Sequence, residues 1–309
     1  MPGVNHPACQ PAQWKNKMKK LSTLLAAGIL ALVGSTIPVL AEGPKIETQK
    51  LGENIYAISA LHYTSLAVIG DKGVLITDTA NPYRASLLAK EISKLTDLPV
   101  TKIVMTHEHY DHVGGTEVFA KADVIAHENF EMFMDQDPLG LLPDQIDVTF
   151  EEKLTLKVGE TKVELSHFGP ADGTAVAVVH LPKEGIVVTS DMYLENALTP
   201  GWALTDSNLL GSRQILNELA SWDLNHAINT HSNNTDPALL KASAQFYNDL
   251  YDAVFPEMQR LAKEDPRQLI KRVLQMRQEV SLPAYEQWEN YKDLPDYVLK
   301  MGFAIIHGG

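Results

Sequence analysis

The chemistry of this sequence concentrates in one short run, Thr106-His107-Glu108-His109-Tyr110-Asp111-His112-Val113-Gly114-Gly115, directly behind the apolar strand Lys102-Ile-Val-Met105. Three imidazoles and Asp111 within six residues cannot all point one way on a regular strand or helix. On a loop they can converge on one or two metal ions. Neutral imidazole and carboxylate suit Zn²⁺, with Mn²⁺ and Fe²⁺ as alternatives. Gly114-Gly115 lets the backbone turn sharply into a following helix. The single cysteine, Cys9, leaves residues 42–309 without a sulfur ligand or thiol nucleophile. A metal there must rest on His, Asp or Glu, and Cys-rich zinc modules and disulfide frameworks are excluded.

The elements that must position this loop are legible as alternating apolar runs and turns. Residues 54–59, 65–69 and 74–77 read as antiparallel strands, with Asp71-Lys-Gly73 as a turn. Leu87, Leu88, Ile92 and Leu95 recur at helical spacing over 83–96, and Leu98-Pro99 ends that helix. A second block of strands covers 146–150, 153–158, 161–167, 176–181 and 185–189. After Thr235-Asp236-Pro237 the pattern turns helical, from Ala238 to Val254 and from Pro266 to Glu279. Strands, a helix, more strands and more helices predict two sheets flanked by helices, an α/β protein.

The 309 residues are 45% apolar and 21% charged, enough for a buried core. The formal charge is −13, and residues 1–41 carry only the positive Lys15, Lys17, Lys19 and Lys20. Subtracting those four from 26 basic residues leaves 22 against 39 acidic ones, a net −17. So acidic a chain has no electrostatic footprint for nucleic acid and gains nothing from an anionic membrane. The expected partner is a small-molecule substrate. Met18-Lys19-Lys20, the apolar run Leu24–Val33 and the small residues before Glu42 have the layout of a secretory signal peptide. The run is too short to span a bilayer, so no stable membrane anchor is expected after its removal. The expected organisation is an upstream extension plus cleaved signal over 1–41, a catalytic core over 42–237, and a C-terminal helical extension packed on it over 238–309. The mature chain is expected in the periplasm or outside the cell.

His-x-His-x-Asp-His-x-Gly-Gly after a strand resembles the signature of the metallo-β-lactamase-fold superfamily. The likeness extends over roughly residues 50–235. Leu75-Ile-Thr-Asp78-Thr79 resembles the family strand ending in a buried Asp that braces the metal loop. Thr189-Ser190-Asp191 resembles the strand end supplying a bridging Asp, and Asn229-Thr230-His231 the one supplying a last His. The resemblance implies a four-layer αβ/βα sandwich with metals at the sheet edge. It implies one ion on His107 and His109, a second on Asp111, His112 and His231, and Asp191 between them. One position departs from the pattern: Gly169-Pro170-Ala171-Asp172-Gly173-Thr174 places Asp172 where the family has a third histidine, and Val176 replaces the Asp of a Gly-Asp pair. If Asp172 ligates, its negative charge weakens Lewis acidity and tilts preference from zinc toward Mn or Fe. If it does not, the first metal keeps only His107, His109 and the bridge.

Of the remaining histidines, His62 is placed at the pocket mouth. His167 shares strand parity with Val163 and Leu165 and is assigned to packing, as is His180 in the apolar strand Val176–Leu181. His127, His226 and His307 read as structural or solvated. Phe130-Glu-Met-Phe133 and Thr199-Pro-Gly-Trp202 are candidates for an apolar pocket wall.

Two cations about 3.5–4 Å apart lower the pKa of a shared water toward neutrality and polarise a carbonyl or phosphoryl oxygen. Asp111 is placed to orient that water and relay its proton. The leading reading is an exported metal-dependent hydrolase of small-molecule esters, lactones, thioesters or amides, β-lactams included. Two alternatives stand beside it. One is an accessory metal-binding protein with a degenerate site, motivated by Asp172 and Val176. The other, weakened by the absent third histidine, is an iron-dependent oxidoreductase of the same fold.

Overall fold

The computed structural model describes residues 43–204 and 207–308, and residues 43–309 form one compact unit. The expected leader over 1–41 lies outside the described residues. The elements run β1 (Ile46–Gly52), β2 (Ile55–Ala60), β3 (Tyr63–Ile69), β4 (Val74–Thr77), α1 (Pro82–Ile92), β5 (Val100–Val104), α2 (Tyr110–Val113), β6 (Asp123–His127), α3 (Glu131–Met134) and β7 (Val148–Phe150). The second half continues with β8 (Lys153–Val158), β9 (Thr161–Ser166), β10 (Val178–Leu181), β11 (Ile186–Val188), α4 (Leu209–Ala220), β12 (His226–Ile228), α5 (Pro237–Glu264), α6 (Leu269–Glu279) and α7 (Leu294–His307). The first seven strands form one sheet in sequence order, and the other five form a second in the order β12-β11-β10-β9-β8.

Strand alternation sorts side chains into three buried clusters, which define four layers. Leu66, Val68, Leu75 and Val104 from the first sheet face Val163, Leu165, Val179, Val188 and Ile228 from the second. The intervening residues Ala67, Val74, Ile76 and Ile103 point the other way, onto Ala85, Leu88 and Ile92 of α1. On the far side, Val178, Val187 and Ala227 pack against α4, α5 and α7 through Leu216, Leu250 and Val298. Residues 238–308 therefore build most of the fourth layer. Burying each such Leu or Ile contributes about 1.5–3 kcal/mol. Among the described residues no helix is long and apolar enough to cross a membrane.

The helix expected after Gly114-Gly115 is not there; a 3₁₀ turn, Thr116–Phe119, takes its place. Gly115 sits at φ 93°, and a Cβ on it would lie 2.7 Å from the Asn81 carbonyl oxygen. That left-handed step breaks helical geometry, and β6 begins at Asp123, too soon for a new helix to grow.

Candidate metal centre

The sequence motifs meet at one edge of the sandwich, at the C-terminal ends of parallel strands. β4 runs beside β5 and β11 beside β12, both pairs parallel. Their ends deliver Asp78, His107, Asp191 and His231, while the β9–β10 connection delivers Asp172. Three of these four strand ends, all but that of β5, leave the sheet through a non-glycine residue with positive φ: Asp78 (35°), Ser190 (61°) and Thr230 (64°), with His62 (68°) and Ala80 (68°) nearby. Such conformations cost about 1–3 kcal/mol each and persist only where the surroundings dictate them.

The structure brings the seven residues assigned from sequence close together. Ligand atoms of His107, His109, Asp172 and Asp191 lie within 4.8 Å of one another, as do those of Asp111, His112 and His231. Asp191 stands between the sets with one oxygen toward each. Its Oδ1 is 3.0 Å from His107 Nε2, and its Oδ2 is 3.2 Å from His231 Nε2 and 3.6 Å from His112 Nε2. Asp172 Oδ2 lies 3.8 Å from His109 Nδ1 and 4.0 Å from His107 Nε2, close enough to occupy the place of a third histidine. Its other oxygen, Oδ1, accepts from Ser207 Oγ at 2.9 Å.

This donor set fits divalent cations. His107 Nε2 is fully buried and, despite its nearness to Asp191, makes no aligned hydrogen bond. His112 Nε2 and His231 Nε2 face each other at 3.3 Å. Imidazole nitrogens and carboxylate oxygens that converge this closely on one point form a donor set suited to an ion. The charges agree. Burial, and then the neighbouring Asp191 carboxylate, push the Asp172 carboxyl well above its ordinary range. Burial works the same way on Asp191, but His107 and His112 outweigh it and hold that carboxyl well below. Burial depresses His107, whereas in His112 the carboxylates of Asp191, Asp111 and Asp78 overcome burial and raise the imidazole.

The loop itself is braced from behind. Asp78 accepts from Thr106 N at 2.8 Å and Thr106 Oγ1 at 2.7 Å, and its Oδ2 lies 3.5 Å from His112 Nδ1. Thr64 N donates to Thr230 O at 2.7 Å, and His231 Nδ1 sits 3.3 Å from the His62 carbonyl oxygen, so the β2–β3 turn orients His231. Tyr63 Oη donates to Asp111 Oδ2 at 3.4 Å, and burial followed by the Asp111 charge pushes the phenol up to about 12.

Three functional residues were not assigned from sequence. Arg84 is fully buried and donates to Ser65 Oγ, Asp78 O, Ile58 O and Tyr63 O at 2.7–3.2 Å. Burial lowers its guanidinium to about 10. Only the Asn81-Pro82 cap of α1, with Asn81 Oδ1 accepting from Arg84 N, hints at where it points. Tyr63 opens β3 and has no metal-ligand chemistry that would single it out. Glu108 stands inside the motif but is absent from the clusters of ligand atoms and bonds the 174–175 segment instead. Its Oε1 accepts from Thr174 N at 2.6 Å and Thr174 Oγ1 at 3.1 Å, and its Oε2 from Ala175 N at 3.0 Å. Gly173, at φ 93°, passes so close that a Cβ would lie 2.7 Å from Glu108 Oε2. Glu108 thereby holds the loop that carries Asp172. In Glu108→Gln an amide N–H₂ must face a backbone N–H, so the loop loosens. Metal affinity is expected to fall about 10–100-fold, read by titration with a chromophoric chelator. Unchanged affinity would show that Glu108 only fills space.

The other histidines fall into structural roles. His127 and His167 stack with ring centroids 3.7 Å apart, and His167 Nδ1 bonds Val176 O at 2.8 Å. His180 packs on Trp222 at 4.4 Å. His226 Nδ1 bonds Thr235 Oγ1 at 2.9 Å, and His307 stacks on Phe303. His62 lines the cavity over the site, as do Phe133, Thr199, Pro200 and Trp202, whereas Phe130 belongs to the core.

A four-layer αβ/βα sandwich with a histidine–aspartate cluster at the edge between its halves defines a class of metal-dependent proteins. A family model described as the metallo-beta-lactamase superfamily matches residues 60–221. The chain belongs to that superfamily. The α subunit of a 2,4-dinitroanisole O-demethylase from Nocardioides sp. (strain JS1661) is 29% identical over 173 residues, covering 53% of this chain and 51% of that protein. The chain thus spans about half the length of that curated relative. Among solved structures, a metallo-beta-lactamase from Pontibacter korlensis matches with a TM-score of 0.58 at 20% identity, over 66% of this chain and 99% of that one. A stereoselective inverting sec-alkylsulfatase from Pseudomonas sp. matches with a TM-score of 0.67 at 14% identity, over 85% of this chain and 50% of that one. At such identities these structures share the fold alone.

Proposed function

We propose that this chain is an exported hydrolase that holds two divalent metal ions and cleaves a small-molecule ester, lactone, thioester or amide. The observation that carries the reading is Asp191, whose two oxygens each face a different set of histidines. His107, His109 and Asp172 would hold one ion, Asp111, His112 and His231 the other, and Asp191 both. When bound, the ions supply Lewis acidity toward the substrate oxygen and toward water.

The chain's own residues do the rest. Asp111 faces the cavity, with its Oδ2 held by the Tyr63 hydroxyl, and orients the attacking water. It accepts the proton released in attack and passes it to the leaving group. With its phenol raised to about 12, Tyr63 keeps its own proton and serves as a fixed donor. Phe133, Leu194 and Pro200 line the cavity and exclude water around the scissile bond.

Zinc is the first choice of metal, although the anionic Asp172 favours Mn or Fe more than a histidine would. Export rests on the leader-like pattern of residues 18–41. The name of the Nocardioides relative favours a second reading, cleavage of an activated aryl ether, in the same cavity. One preparation tests the proposal: protein recovered from the periplasmic fraction and kept anaerobic. Its mass is expected to show a chain beginning near Glu42, and metal analysis to give about two ions per chain. Activated esters are expected to be hydrolysed well above a chelator-treated control. One ion in the parent and two in Asp172→His would show that the aspartate cripples the first site. No hydrolysis by the two-metal protein would favour the accessory-protein alternative.

A further inference from the structure

The cavity over the metal centre has a volume of about 1000 Å³, room for a drug-sized molecule. Its outer wall is apolar, with Phe133, Leu194, Pro200 and the exposed indole of Trp202. Its charged lining is of one sign: Glu108, Asp111, Asp172, Asp191 and Glu289. Among the described residues no lysine or arginine lines it. Two lysines of the surrounding surface have partners of their own. Lys45, in the adjoining groove, pairs with Glu47, and Lys300 donates to the Ser207 carbonyl at 3.2 Å, behind Asp172. Two divalent ions would be largely balanced by Asp111, Asp172 and Asp191, so they leave little surplus charge for a distant anion. Glu289 is exposed and belongs to the cavity lining.

We propose that this pocket selects uncharged substrates with an apolar aryl or alkyl group and rejects those bearing a carboxylate or sulfate away from the scissile bond. The inference rests on the hydrolase reading above and narrows it. An anionic group entering here loses water and meets no guanidinium or ammonium to replace it. An apolar group gains the indole and phenyl faces. Carboxylate-bearing β-lactams then fall outside the substrate range, and neutral esters and lactones within it.

A matched pair isolates the effect. 4-Nitrophenyl butyrate and the 4-nitrophenyl monoester of succinic acid share leaving group and chain length and differ in a terminal methyl or carboxylate. With metal-loaded full chain, kcat/KM for the butyrate is expected to exceed that for the succinate by about tenfold or more, a difference of ~1.4 kcal/mol. Glu289→Lys is expected to narrow the ratio by roughly half a decade or more. Binding is read independently through quenching of Trp202 emission by N-butyl-4-nitrobenzamide and by its ω-carboxylate analogue, with Trp202→Phe as the control. The neutral amide is expected to bind about tenfold more tightly. Equal or reversed selectivity in binding overturns the proposal whether or not the esters are cleaved, as does failure of both amides to quench. Selective binding without hydrolysis of either ester leaves the proposal standing and overturns the hydrolase reading alone.

Discussion

Asp191→Ala is expected to lower kcat/KM on any ester the protein cleaves by about 10³-fold or more, and to leave at most one ion per chain. The size of the effect follows from geometry. One carboxylate supplies oxygens to both sets of imidazoles, at 3.0 Å on one side and 3.2 Å on the other. No neighbouring group can take its place, because Asp172 leans toward His107 and His109, and Asp111 lies beside His112. The loss should appear in kcat as well as KM, since the pair of ions acts on the transition state. Metal analysis of the variant beside the parent, with far-ultraviolet dichroism to show that the fold persists, checks it. Full activity with two bound ions in Asp191→Ala would remove the bridging assignment.

The second large effect is on stability. Arg84→Met is expected to lower unfolding free energy by about 3 kcal/mol, because four acceptors each lose a donor, although the Asp78 carbonyl keeps Ser65 Oγ at 2.7 Å. Those acceptors are the Ile58, Tyr63 and Asp78 carbonyls and the Ser65 hydroxyl, and Arg84 itself has no exposed surface. Removing a buried cation returns part of its desolvation cost, which keeps the loss below the sum of the bonds. For a chain of this size ~3 kcal/mol corresponds to a fall in Tm of roughly 6–12 °C. Metal affinity should fall with it, because Arg84 ties the turn beneath His62 to the backbone of Asp78. Arg84→Lys, with a single point charge in place of a planar fork, should recover only part of the loss. A Tm within about a degree of the parent for Arg84→Met would show that water replaces the guanidinium at no cost.

The two effects mark different routes from sequence to site. Asp191 was visible because a strand end followed by Thr-Ser-Asp falls in the order expected of a metal-binding sandwich. Arg84 was not, because an arginine in an amphipathic helix reads as a surface residue until the path of neighbouring loops is known. Glu108 was hidden for the opposite reason: it stands among ligands and has ligand chemistry. Its direction is set by two backbone N–H groups and one hydroxyl of residues 174–175, some 66 residues further along the chain.

By itself the sequence determined the chemistry of the centre and the alternation of the sheets. Ligand type is a property of single residues, and strand parity is a local consequence of backbone geometry. The seams Leu66/Val68 and Ala67, or Val179 and Val178, fall into opposite layers as their order dictates. Only the tertiary structure decided that Asp172 reaches the first set of histidines, since that depends on a loop fixed by Glu108, Gly173 and Ser207. It also decided that residues beyond 237 are a structural layer and that Glu289 and Asn290 reach the cavity rim. Contacts between distant segments follow from how whole faces pack, and no local pattern in the chain encodes that distance.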